Sequence, residues 1–560
     1  MHSHRLALSG LFFGNLLAFA ACISTPSADS PATAPTTTGP AQPRVNRVVM
    51  AVSPPALEGA TPNRDVGTPQ SFQVRPMYEY LVGVDAQSGK LIPQLATEWK
   101  VEPDGKSWRF KLRRGVPFHG RWGEFTSKDV VYSHSETVPA DTMNSNPLFF
   151  RESIEKLDVV DDYEVVVRMR VADSDSLNLM GEQIGGFAML SKAAYDANGR
   201  PSVTSAPTAG TGPYQFKERV PGSYIRFERV PSKHWRSTPD FPEFEFRWMK
   251  EASSRLAALL TEEVHLTPLP QDLLPQTATR GMTSVKGRVA ALRVFVGFIC
   301  CNFKNPADPS QAYDHPESPL MEVRLRQALN RAVNRDEINK SFFRGKGEPM
   351  LVNHFHPTRL GWNPEWERRF PGEYGYDPAQ ARKLLEEAGY GPQNPYRINF
   401  LKPALPDVPE AEDVFDAVAS YWRAVGVQVN QLAMDPAQVT AIGRAKGWDN
   451  HATIVVTGSS QLLGFIVYNA SFPGIGSGQN PVDNLGLYTL IGKIKAEMDE
   501  RKNAELWKQV GDLSFSLYQN IPLFWLPAEA AVNPKYVSDY VFPGAISGTW
   551  THVDGIKGAR

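Results

Sequence analysis

An α/β protein of two or three domains is what the sequence predicts, on three observations. The chain has 560 residues, more than one hydrophobic core ordinarily serves. Its first half is rich in alternating, strand-like segments, while its second half interleaves amphipathic helices with strands, as where a helix over 411–424 feeds Val427-Gln428-Val429. A continuous apolar run from Leu292 to Asn302 has the pattern of a strand covered on both faces, and its position suggests a crossing from a first lobe into a second.

Charge excludes some classes of function. Lys and Arg number 59 against 60 Asp and Glu, so no net field draws the chain to nucleic acid or to an anionic membrane. At the N-terminus, His2, His4 and Arg5 precede an apolar run from Leu6 to Ala21 that ends Ala20-Ala21-Cys22. A short apolar core behind a basic start is a secretory signal rather than a membrane span. Cys22 after the small pair resembles the lipidated cysteine of a bacterial lipobox, with Phe19 where that pattern prefers Leu; simple cleavage nearby is the alternative. Residues 1–22 are read as the signal and 23–45, rich in Ser, Thr, Pro and Ala, as a disordered tether. Cys300 and Cys301 are adjacent in the apolar run and read as small buried residues rather than as a redox pair.

The folded part opens with a strand at Val48–Val52. Asp104-Gly105 is a hairpin turn, and behind it Trp108, Phe110 and Leu112 alternate with Arg109, Lys111 and Arg113, so one face is buried. Thr126 and Asp129 form a helix N-terminus, and residues 156–169 alternate as a strand pair about Asp161-Asp162. A polar loop over 200–210 leads to Gly210-Thr211-Gly212-Pro213-Tyr214, where two glycines and a proline predict a tight turn of unusual φ. A second alternating strand, Tyr224–Arg229, follows, closed by Pro231-Ser232-Lys233-His234-Trp235. Residues 254–266 read as an amphipathic helix. After the crossing, Leu325, Ala328, Leu329, Ala332 and Val333 share one helix face, opposite Arg324, Arg326, Arg331 and Arg335. From Tyr376 to Tyr390 the helix signals agree: Asp377 caps, Pro378 opens, Ala381, Leu384, Leu385 and Ala388 line one side, and Gly389 stops it. Asp435-Pro436 repeats that cap. A helix from Met498 to Leu517 precedes a short buried strand, Ile521–Trp525.

Taken in order, the G-T-G-P-Y turn, the hairpin and Trp235 ending, the L-A-x-x-W, D-G and F-x-L-R-x-G segments of residues 95–118 and the two helices at 323–335 and 374–390 resemble the extracellular solute-binding proteins of peptide-type ABC importers, solute-binding protein family 5. The resemblance covers about residues 46–545. It implies a two-lobed periplasmic-binding-protein fold with an inserted subdomain in the first lobe: lobe I over 46–290 with the insertion at about 75–205, lobe II over 291–515, and a return to lobe I over 516–560. It departs at Glu262 and His265, where the family usually has glycine and aspartate. The implied activity is capture of a peptide or related small solute outside the cytoplasm by hinge closure. The solute would pass to permease subunits served by a separate ATPase. The chain is expected as a monomer, held to the membrane only through an N-terminal lipid, with no nucleic acid, no cofactor and no enzymatic reaction. An oligosaccharide receptor, or a solute sensor uncoupled from transport, is the alternative.

No H-E-x-x-H, G-x-S-x-G or G-x-x-x-x-G-K-S/T motif occurs. His354 and His356 would point the same way on an extended segment, but a polar loop beside Pro357 also suits solvated imidazoles, and no metal is assigned. Between Asp449 and Asp483 the chain carries no Asp, Glu, Lys or Arg. In that stretch Thr457, Gly458, Ser459, Ser460 and Gln461 are expected to face the cleft. The aspartate with which relatives grip a peptide's amino end is missing there, which keeps sugars and blocked peptides in view. Trp362 and Trp448 could stack on a ligand, and Asn302 and Phe303 follow the crossing strand.

Overall fold

The computed structural model describes residues 43–55, 57–65, 68–144, 149–289, 292–305, 307–403, 405, 408, 410–435, 438–439, 449–458, 461–469, 482–544 and 549–560. The signal segment, the tether and Cys22 lie outside them, as does most of the helix expected after Asp435-Pro436. Residues Gln42–Arg560 form one compact unit, inside which the apolar side chains gather into separate cores against three main sheets.

The first sheet orders its seven strands as Thr283–Lys286, Glu529–Val532, Leu266–Thr267, Arg47–Val52, Glu243–Trp248, Tyr224–Arg229 and Tyr214–Val220. Arg47–Val52 and Glu243–Trp248 pair in parallel, which demands a crossover connection. That crossover contains the insertion: an antiparallel sheet of Ala96–Val101, Trp108–Leu112, Glu164–Met169 and Ile154–Asp161, with its own core around Phe110, Phe125, Val165 and Val167. Gly105 takes φ +70° in the hairpin, and Asp104 accepts hydrogen bonds from the Lys106 and Ser107 backbone N–H groups. Thr126 and Asp129 cap the helix Ser127–Ser135, the Thr126 N–H donating to the Asp129 carboxylate at 2.9 Å.

The second sheet orders Glu348–Pro349, Asn520–Leu526, Leu292–Ile299, His451–Thr457, Arg397–Pro403 and Gln428–Met434. The chain enters it between Lys286 and Leu292 and leaves between Leu526 and Glu529. On each side of this passage the outgoing and returning strands pair antiparallel with one another. Leu292 packs against the cores of both sheets. Two paired strands are thus a connector on which two lobes can turn.

Several local readings change. Gly210 and Gly212 are not among the positive-φ residues; they are needed because a Cβ would stand 2.0 Å from the Met77 carbonyl oxygen at Gly210 and 2.7 Å from the Pro76 oxygen at Gly212. The helix expected over 254–266 is Ala252–Leu260; Glu262, in the place of the family's glycine, takes φ +65°, and Leu266–Thr267 turns into a strand of the first sheet. Arg326 is buried rather than solvated, its guanidinium donating to the carbonyls of Leu320, Met321 and Leu517. Arg335 opens a separate helix and donates to the Pro522 and Tyr374 carbonyls. Burial pushes both arginines down to about 10. Cys300 and Cys301 are buried, as expected of small side chains beside an apolar strand.

Candidate functional site

At the end of the second sheet nearest the passage between lobes, Arg293 lies in register between Thr457 on one side and Trp525 on the other. It is the one charged residue in the run 292–302. Its side chain is fully buried, with Nη1 3.2 Å from His354 Nε2 and the guanidinium 6.0 Å from the Trp525 ring centre. Arg359 approaches the same ring at 4.9 Å, and the His356 ring meets it edge-on at 5.4 Å. An indole face attracts cations through its quadrupole, and both guanidiniums stand within 6.0 Å of the Trp525 ring centre. Burial lowers Arg359 to about 10, leaving it a cation at neutral pH.

His354 and His356 diverge. His354 has φ +72°, which turns its ring inward against Phe465 and Phe295. His356 instead reaches the Thr358 hydroxyl at 2.7 Å and the Glu348 carboxylate at 3.2 Å. Burial holds its imidazole below the ordinary value, although Glu348 pulls the other way. Among the described residues no three His, Cys, Asp or Glu side chains gather as a metal site would require.

Of the residues singled out in the sequence, Thr457 ends its strand beside Arg293, and Gly458 follows, half-buried. Gln461 opens the helix Gln461–Asn469 and donates from Nε2 to the Leu360 carbonyl at 3.0 Å. That bond ties the strand's exit to the loop carrying Arg359 and Trp362. Trp362 is half-buried and packs edge-on against Trp366 at 5.4 Å. Ser459, Ser460 and Trp448 lie outside the described residues. Asn302 and Phe303 are not brought to this place: the strand register runs from Arg293 opposite Thr457 to Ile299 opposite His451, which sets them at the far end of the sheet. There Phe303 is buried, stacked on Tyr313 at 5.4 Å, and its N–H donates to Asp483. The neutrality of the stretch after Asn450 also has a packing cause in its first part, since His451–Thr457 is an interior strand between two others and Ala452 and Ile454 belong to the core.

One end of the second sheet thus brings together the buried Arg293 and Trp525 with the half-exposed Arg359, Thr457 and Gln461. The mark Arg293 carries in the sequence is that of a lone charge in the run 292–302, which the reading of that run as continuously apolar passes over. Arg359 and Trp525 carried no such mark, because only the fold brings them to Thr457.

The profile of the bacterial extracellular solute-binding proteins, family 5, middle region, matches residues 90–465. The chain is 26% identical over 479 residues to the dipeptide-binding protein of Escherichia coli K12, covering 79% of this chain and 82% of that one. Among solved structures, HbpA2 of Haemophilus parasuis superposes with a TM-score of 0.73 at 20% identity, covering 92% of this chain and 100% of that one. The dipeptide-binding protein of Pseudoalteromonas sp. SM9913 in complex with Met-Leu gives 0.71 at 21% identity, again over 92% and 100%.

Proposed function

The chain belongs to the bacterial extracellular solute-binding proteins of family 5, and on that premise we propose that it captures a short peptide in the cleft between its lobes and delivers it to an ABC permease with a separate ATPase. Arg359, Thr457 and Gln461, half-exposed over the buried Arg293 and Trp525, form the second lobe's side of that cleft. The observation that carries this assignment is the half-exposed Arg359 guanidinium over Trp525, set beside the two strands on which the lobes turn. A peptide's terminal carboxylate is the group such a surface suits, with the backbone supplying further hydrogen bonds that are indifferent to side chains. The ligand closes the lobes because it touches both only when they are shut. Binding, not turnover, is the activity, and the chain acts outside the cytoplasm as a monomer, exported by residues 1–22 and held to the membrane through Cys22.

The test is thermal unfolding of the purified chain with di- to pentapeptides, cello-oligosaccharides and nickel in parallel. A dipeptide at 100 times its dissociation constant adds about 2.7 kcal/mol of stability. Arg359→Ala removes one partner of the buried charged contact and weakens dipeptide binding by roughly 2–5 kcal/mol. A midpoint that moves with an oligosaccharide or nickel and with no peptide overturns the solute assignment.

A further inference from the structure

Away from the connecting strands, the insertion of the first lobe touches the second lobe directly. The loop after strand Glu164–Met169 brings Asp173 and Ser174 to the C-terminal end of the helix Leu485–Ala496. The Ser174 N–H donates to the Lys495 carbonyl at 2.9 Å, and its hydroxyl donates to the Ile494 carbonyl at 2.9 Å. Lys495 Nζ stands 3.2 Å from an Asp173 carboxylate oxygen, with both side chains largely shielded from water. Met498, just past the helix, packs against the insertion's core.

The chemistry of this contact is that of a detachable joint. The last carbonyls of a helix have no donor within the helix; here Ser174 from the other lobe donates to two of them, and the Ile494 carbonyl also accepts from Asn503 Nδ2 and the Glu497 N–H. Separation would not strand the Ile494 carbonyl, since it keeps its Asn503 and Glu497 donors. The ion pair adds attraction that acts only when the two surfaces meet. No covalent segment links the insertion to this helix except through the paired strands at 283–299 and 520–532, so rotation about those strands must either make or break the contact.

Resting on the hinge-closing reading given above, we propose that Asp173 and Ser174 with Ile494 and Lys495 are a distal latch. It stabilises the shut state without touching the solute and thereby sets solute affinity through the fraction of molecules that are closed. Apparent affinity scales with that fraction, and couplings of this kind typically change affinity about 5- to 150-fold.

The test uses the full chain carrying Cys22→Ser, with spin labels on Lys156→Cys in the insertion and Lys383→Cys in the second lobe, both exposed. Distance distributions are measured without solute, and Met-Leu affinity is measured in parallel. Expected is a short-distance population that Asp173→Lys or Lys495→Asp alone depletes about fivefold or more, and that the two together restore. Restoration also shows that the single variants are folded. Absence of the short population in the parent, no depletion in the single variants, or no restoration in the pair overturns the latch. Should Met-Leu fail to bind the parent, the solute assignment falls while the distances still decide the latch.

Discussion

Glu79 shows at the scale of one residue how the opening turn is held. It is fully buried and accepts hydrogen bonds from Thr211 Oγ1 at 3.0 Å, Trp235 Nε1 at 3.1 Å and Arg236 Nε at 3.0 Å. Arg236 in turn donates to Asp554, near the C-terminus. Burial works to raise the Glu79 carboxyl, but His234 and Arg236 outweigh it and leave it below its ordinary 4.5. Asp554 behaves likewise through Arg236 and Ser237, below 3.8. Groups depressed in the folded state contribute stability that is present above their unfolded values and lost as pH falls through the folded ones. Acid unfolding is therefore expected to set in below about pH 4, and Glu79→Gln should flatten that dependence. At pH 7 the same substitution leaves Arg236 without one charge partner and should lower stability by about 3–5 kcal/mol, read from denaturant midpoints. Gly210→Ala should cost about 1–3 kcal/mol or more in the same assay, because its methyl would have to displace the Met77 backbone.

Local elements were the most legible level, since caps and periodicity act over a few residues. In the helix Pro378–Glu387, Asp377 accepts from the Gln380 N–H at 2.9 Å, Ala381, Leu384 and Leu385 are buried, and Gly389 takes φ +90°. Asp377→Ala should lower stability by about 1 kcal/mol. The alternation around Trp108, Phe110 and Leu112 is equally local, and all three are buried. Phe110→Ala should remove about 3–5 kcal/mol from the insertion's core, visible as an earlier unfolding step if the insertion unfolds by itself. What local pattern could not give is the environment of a charged side chain. Arg326 and Arg324 look alike in the sequence, yet Arg326 meets carbonyls from a loop and from Leu517, far along the chain. Likewise, Glu262 occupies a left-handed position although glycine suits it better; its carboxylate bonds Lys535 and Tyr536. Glu262→Gly relieves the backbone there but gives up both bonds.

For the whole molecule, two lobes joined by two paired strands make solute affinity a property of the hinge as well as of the site. Variants at the connector, such as Leu292→Ala, are expected to change affinity by altering how readily the lobes close, even though Leu292 packs on the two cores and not on the cleft surface. Scattering in solution with and without Met-Leu checks this, since closure shortens the molecule.

The sequence by itself determined the α/β class, the strands and helices with their caps, the crossing run at 292–302 and, through motifs spread in order, the family. All of these are written in periodicity, in turn residues and in spacing that survives without knowledge of distant partners. Only the tertiary structure decided that Phe303 is buried at the far end of a sheet and that Arg293, Arg359 and Trp525 meet beside Thr457. Those facts depend on strand register and on loops closing over long separations, and no local pattern of side chains encodes which strand lies next to which.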